Sequence, residues 1–354
     1  MGQVVKERFI NIDIAKALAV FGVIATHSIN YIGTIHANVA QGKSVWLLLF
    51  LANAVTFCVP IFLLATGYLM RKKQLSKKYY QKIIGVLFVY LVTSVVYQIF
   101  INLSSGTPNT IMDIARSIIN IEGSPYSWYV RMYIGLFLLI PFLNILWAGL
   151  KTKKAKSILC ITLIILTVLP HFEFKGFHVI EYWKELWPLT FYFLGAYIKE
   201  FNFKMILQKK IILLILGFGW SCAATIYSIS INQGNVLGGY AVWWSNPWTI
   251  LYSTMLFSII VGCKIKLPKA IASAISKIAA LTLGTYLISA VFDELIYVNI
   301  LGFGNYPTRD FYYLIATTPI IFLLSLLSAH IIDLSWRGIV HLSSRKKLSP
   351  SKSD

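Results

Sequence analysis

Charge is scarce in this chain, and acidic charge scarcest of all. Only 13% of its 354 residues are charged, 13 Asp and Glu against 32 Lys and Arg, where a soluble domain carries roughly 25%. Hydrophobic residues make up 57% and aromatics 15%, so a water-soluble globular domain is excluded. The four cysteines, Cys58, Cys160, Cys222 and Cys263, fall in apolar stretches without paired spacing. That excludes a disulfide framework or a zinc site and leaves buried thiols. No Gly-rich phosphate loop, Ser-His-Asp motif or Walker sequence occurs, nor any heptad or repeat of useful period. His171 and His178, with the glutamates near them, lack a metal-ligand spacing, and no metal is expected.

What the chain does have is apolar runs. Ten segments are long and apolar enough to span a membrane or nearly so: 9–31, 45–70, 83–101, 128–148, 157–170, 186–198, 211–230, 247–263, 279–300 and 311–333. Several fall short of the roughly 20 residues a straight span requires. The fold class is therefore all-α, a polytopic membrane bundle of about ten transmembrane helices. The first run is interrupted by charge and longer than the apolar core of a signal peptide, with no clear cleavage site after it.

The net charge of +19 raises the question of a nucleic-acid partner, and its distribution answers it. Cations gather at Arg71–Lys82, Lys151–Lys156, Lys199–Lys210, Lys264–Lys277 and Arg337–Lys352, after every even-numbered span. The intervening loops carry few. Such a bias sets orientation in a membrane and is not the stripe or motif of a nucleic-acid binder. Both termini are expected in the cytoplasm of a multi-pass plasma-membrane protein. Residues 1–338 form the membrane domain and 339–354 a basic tail, of which Ser343–Asp354 is expected to be disordered.

The first span carries charge that hydrocarbon disfavours, Asp13, Lys16 and His27. An ionisable group there costs about 2.5 kcal/mol or more, so it faces a protein interior or a watery cavity. Lys16 and His27 are about three turns plus 20° apart, on one face and about 16 Å apart along the axis. Asp13 lies one turn before Lys16 and can neutralise it. His27 reads as a general base or as a histidine packed between helices; Lys16 as an anion receptor or a structural partner of Asp13.

Further candidates lie along the chain. Pro60 and then Thr66-Gly67-Tyr68 suit irregular backbone lining a cavity, although both Gly and Pro are common in membrane helices. Trp128 and Tyr129 open the fourth span, and Arg131 there lines a site or snorkels to the surface. Asp293 and Glu294 are counter-charges to Arg131 or His27, or interfacial. Tyr240, Trp243, Trp244 and Trp248 stack on sugar rings or form an interfacial belt.

These residues together resemble the acyltransferase family 3 membrane proteins, which O-acylate cell-surface polysaccharides and related glycans. Asn11-Ile12-Asp13-Ile14-Ala15-Lys16 with His27 is similar to the family's first-span signature, an Asp followed by Arg or Lys and then His eleven residues later. Pro60–Met70 is similar to its second-span motif, with Thr66 where serine is commoner. Ser127–Asn144, Phe191–Ile198 and Leu283–Ser289 resemble further blocks. The chain departs from the family in having Tyr126-Ser127 where histidine often precedes Trp128, and Ser289 where histidine is also common.

The resemblance implies the stand-alone form of the enzyme. An acyl-coenzyme A donor, most often acetyl-CoA, would have its anionic end among inner-face cations with Lys16 nearest the pore. Lys16, Thr66, Gly67 and Tyr68 would bind it. The acceptor would be a hydroxyl on an extracytoplasmic glycan or lipid-linked sugar, met by Trp128, Tyr129, Arg131, Ser289 and Asp293. His27, with Lys16 and Asp13, would carry catalysis. Read without the resemblance, a transporter or flippase of a polar solute or lipid-linked sugar is the main alternative. It would be expected to show paired broken helices and internal repeats, which the chain lacks. A non-catalytic scaffold would leave the charged first span without purpose.

Overall fold

The computed structural model describes residues 10–34, 43–104, 109–168, 170, 181–203, 205–231, 244, 246–302 and 312–346. Among these there is no strand, and the protein is an all-α bundle. Each of the ten expected segments is helical. The first is α1 (Ile10–Thr34), and the second is two helices, α2 (Lys43–Val55) and α3 (Cys58–Met70), broken at Thr56-Phe57. A one-turn helix α4 (Lys77–Tyr80) leads into α5 (Ile83–Ser104). After a short helix α6 (Ile111–Ile119) come α7 (Trp128–Gly149), α8 (Lys153–Val168) and α9 (Trp187–Phe201). Then follow α10 (Leu207–Ile231), α11 (Pro247–Gly262), α12 (Lys269–Asp293) and α13 (Tyr312–Lys346).

Among the described residues, seven stretches have the length and apolarity to cross a membrane: Ile10–Ile32, Trp46–Met70, Lys77–Ser104, Trp128–Gly149, Leu207–Tyr227, Lys269–Ile300 and Tyr313–Leu342. α8, α9 and α11 are only 16, 15 and 16 residues long. At about 1.5 Å per residue they fall short of a hydrocarbon core about 30 Å thick. α9 is buried almost all round, from Thr190 to Ile198, as a helix apolar on every face must be. It is a central post of the bundle.

Two glycines make that burial possible. A Cβ on Gly67 of α3 would stand 1.9 Å from the Tyr192 carbonyl oxygen of α9. One on Gly195 of α9 would stand 2.1 Å from the Leu64 carbonyl oxygen of α3. The two backbones touch because neither residue has a side chain, the small-residue packing favoured between membrane helices. α1 packs against both α3 and α12, and α12 against α5 and α13. The charged first span therefore lies inside the bundle, between α3 and α12.

Two elements differ from the sequence reading. α6 was not expected, yet Thr110 and Asp113 form a reciprocal capping box at its start. Its Ile111, Met112 and Ile119 are exposed, the pattern of a helix lying in the membrane interface. α13 runs on to Lys346, so Ser343–Lys346 is helical rather than disordered and the helix crosses the expected boundary at 339. Residues 347–354 lie outside the described residues.

Candidate active site

α1 and α12 run in the same direction, tied at two levels. Near their starts the Ser276 hydroxyl donates to Asp13 Oδ2 at 2.6 Å. Near their other ends the His27 and Tyr286 rings lie 6.0 Å apart and nearly parallel. Between these levels a cavity of about 330 Å³ opens, lined by Lys16 and Val23 of α1, Thr66 of α3, Tyr129 and Tyr133 of α7, and Tyr286 of α12. Lys16 gives it one charged group, and most of the remaining wall is apolar. Its deep end stops at Val23 and Tyr286, one helical turn short of His27.

His27 is held by aromatic rings. Tyr126 stacks on it with centroids 3.8 Å apart and planes 23° from parallel. Tyr286 stacks on Tyr126 at 5.4 Å and donates to the Tyr126 carbonyl at 3.1 Å. The Tyr126 hydroxyl donates in turn to Asp293 Oδ2 at 2.6 Å. Asp293 is fully buried, and its Oδ1 has no hydrogen-bond partner among the described residues. Buried polar atoms are rarely left so. The backbone becomes a π-helix, Glu294–Ile300, just beyond it, a change of winding common at functional sites.

Tyr126 reaches His27 because the loop before α7 is pinned to α5. Gln98 Nε2 donates to the Gly123 carbonyl at 3.0 Å, and the Tyr90 hydroxyl donates to the Ile118 carbonyl at 2.9 Å. A Cβ on Gly123 would meet Ser94 Cβ at 2.5 Å, so only glycine lets the loop sit this close. Ile121, with φ 56°, turns the chain through the left-handed region.

The remaining expected site residues divide. Thr66 lines the cavity, with its hydroxyl bonded back to the Phe62 carbonyl at 2.7 Å. Gly67 faces α9 and has no room for a ligand. Tyr68 lies under Lys199 of α9, 4.5 Å from ring centroid to Nζ, and is not among the cavity residues. Tyr129 lines the cavity and meets Tyr286 edge-on at 5.8 Å. Trp128 stacks on Trp244 at 4.6 Å, and Trp187 adjoins Trp244 at 5.7 Å.

Ser289 is buried and its hydroxyl donates back to the Tyr286 carbonyl within α12. Arg131 pairs with the exposed Glu122 at 3.3 Å and donates to the Ile121 carbonyl. It is neither counter-charge nor neighbour to Asp293, and the turn at Ile121 is what it steadies. Glu294 accepts from Tyr31 at 3.0 Å. Trp248 is buried against Trp220, away from the other tryptophans. Tyr240, Trp243, His171 and His178 lie outside the described residues.

The lysine-rich end holds a second polar cluster. Glu200 accepts from Lys156 at 2.7 Å and Trp147 at 2.9 Å and pairs with Arg71 at 3.3 Å. Burial works to raise its pKa, but the bonds from Lys156 and Trp147 and the two cationic charges outweigh it. The carboxyl is held below its usual range. This cluster ties α3, α7, α8 and α9 together.

A membrane helix bundle with a lysine at one end of an internal cavity and a ring-held histidine beyond the other defines the class. Residues 9–330 match the family described as acyltransferase domain, acyltransferase family 3, and the chain belongs to that family. No curated protein and no solved structure matches it. The protein is a membrane acyltransferase.

Sequence reasoning missed Tyr126 and Tyr286 as partners of His27. Tyr286 had a signal, since Tyr286, Ser289 and Asp293 recur at helical spacing on one face of α12.

Proposed function

We propose that the protein is a plasma-membrane O-acetyltransferase. It moves the acyl group of a cytoplasmic acyl-CoA, acetyl-CoA foremost, to a hydroxyl of an extracytoplasmic envelope glycan or lipid-linked sugar. The observation that carries this is the cavity lined from Lys16 to Tyr286, whose ring lies 6.0 Å from His27. Lys16 attracts the phosphates of the donor, and the apolar wall suits the slender pantetheine arm. An unbound imidazole nitrogen of His27 takes the proton of the sugar hydroxyl as its oxygen bonds to the thioester carbonyl carbon. The carbon–sulfur bond breaks, and the departing thiolate receives the proton from His27. In the alternative order His27 first accepts the acyl group and then passes it to the hydroxyl.

The donors around the rings fit a positioning role. Asp293 orients Tyr126, and Tyr126 fixes the plane of His27. Glycan mass spectrometry on cells with and without the gene tests the reading. An acetyl mass increment that needs the gene and is lost in His27→Ala supports it. Identical glycans in both would overturn it.

A further inference from the structure

A second cavity, of about 560 Å³, lies at the lysine-rich ends of α12 and α13. Ser273, Ser276 and Lys277 line it from α12, and His330, Asp333 and Arg337 from α13. It shares one residue, Ala280, with the cavity that contains Lys16. Because Ser276 bonds to Asp13, Ala280 stands about one turn deeper than that contact, near the level of Lys16. Ala280 thus borders both spaces, the polar and cationic one between α12 and α13 and the mainly apolar one that holds Lys16.

The lining chemistry selects an anion. Arg337 Nη2 pairs with Asp333 Oδ2 at 2.7 Å while its side chain stays 68% exposed, so the guanidinium is open to a further anion. Lys277 and Arg337 against Asp333 leave one net positive charge, with Ser273 and His330 as further hydrogen-bonding groups. A phosphate accepts from such groups through several oxygens. The volume is that of a small-molecule site.

We propose that this α12–α13 cavity holds the phosphorylated adenosine end of the acyl-CoA, with Lys277 and Arg337 on phosphate oxygens, while the pantetheine arm passes Lys16 into the apolar cavity. The inference rests on the acyl-CoA reading above and adds where the nucleotide is recognised. It accounts for cations on α12 and α13 that neither the rings around His27 nor the Glu200 cluster employs.

The test uses the full chain in nanodiscs of zwitterionic lipid, with and without anionic phospholipid. Binding of CoA, 3′-dephospho-CoA and S-acetylpantetheine is measured for wild type, Lys277→Gln, Arg337→Gln and Arg337→Lys. Wild type should prefer CoA to dephospho-CoA by about tenfold. Either glutamine variant should lose most of that preference, with S-acetylpantetheine binding unchanged. Arg337→Lys, which keeps the charge, should retain part of it and shows that the fold survives. CoA affinity unchanged in both glutamine variants would overturn the site. Loss of bound anionic phospholipid with CoA binding intact would instead assign the cavity to lipid headgroups, and so overturn it too. Wild type that binds none of the three compounds would remove the acyl-CoA reading itself, an outcome distinct from the others.

Discussion

The imidazole of His27 lies 3.8 Å from the ring of Tyr126, nearly parallel to it. The tyrosine is thus placed to set which way that imidazole points. Its own orientation is fixed by Asp293 at 2.6 Å. The ring that covers the catalytic candidate comes from Tyr126, two residues before α7 begins at Trp128.

Tyr126→Phe keeps the ring and removes the hydroxyl that Asp293 accepts from. A buried carboxylate left without its donor costs about 1–3 kcal/mol. Turnover should fall about tenfold or more, with little change in KM for the acyl donor. Tyr126→Ala should fall further, since the stack is lost as well. Steady-state kinetics on membranes of matched protein content checks this. If phenylalanine and alanine behave alike, the bond to Asp293 has no positioning role.

His27→Ala should abolish transfer while the protein still inserts, because it removes the base and adds no polar group to the span. A lost general base accounts for about 10²–10⁴-fold in rate. Glycan acetylation measured together with protein level decides it; wild-type acetylation from a normally abundant mutant would remove His27 from the mechanism.

Much of the site was legible in the residues. Lys16 and His27 stood out because charge in a membrane span demands a reason, and helical spacing put them on one face. Thr66, Gly67 and Tyr68 show the limit of reading a motif as a unit. Successive residues on a helix turn by about 100°, so only Thr66 meets the cavity, while Gly67 faces α9. Tyr126 was harder, because its place depends on Gly123 against Ser94 of a helix some 30 residues earlier. No local period records that contact. α6 had a readable signal in Thr110 and Asp113, outweighed by its nine-residue length.

Gly67→Ala should leave little folded protein. Its Cβ would lie 1.9 Å from the Tyr192 carbonyl oxygen, and backbone cannot yield as a flexible side chain does. Overpacking of this kind costs about 1–3 kcal/mol or more. Gly149→Ala, with nothing near its added Cβ, is the control. The fraction recovered as monodisperse protein after detergent extraction should separate them, and equal recovery would contradict the close crossing of α3 and α9.

Glu200 predicts a pH dependence of stability. Its carboxyl pKa is lowered in the folded protein, so its contribution is present above the unfolded value and is lost as pH falls through the folded one. Thermal unfolding from about pH 7 down to about pH 3 should show wild type losing its advantage over Glu200→Gln on acidification. Curves that stay parallel throughout would mean that the cluster with Lys156, Trp147 and Arg71 adds no pH-dependent stability.

The last prediction concerns sides. On the orientation we propose from the basic loops, α1 starts in the cytoplasm and Lys16 lies inward of His27 by about 16 Å. In the proposed mechanism a donor arm that passes Lys16 and a sugar hydroxyl near His27 require the two substrates to enter from opposite faces and meet in the outer half of the bundle. In sealed, oriented vesicles, acetyl-CoA should support transfer only from the face bearing the lysine-rich loops. Acetylated glycan should accumulate on the other. A one-sided enzyme would use donor and release product on the same face, whatever its catalytic residue. Equal activity with donor supplied to either side would refute transfer through the membrane and leave the acyltransferase assignment standing without it.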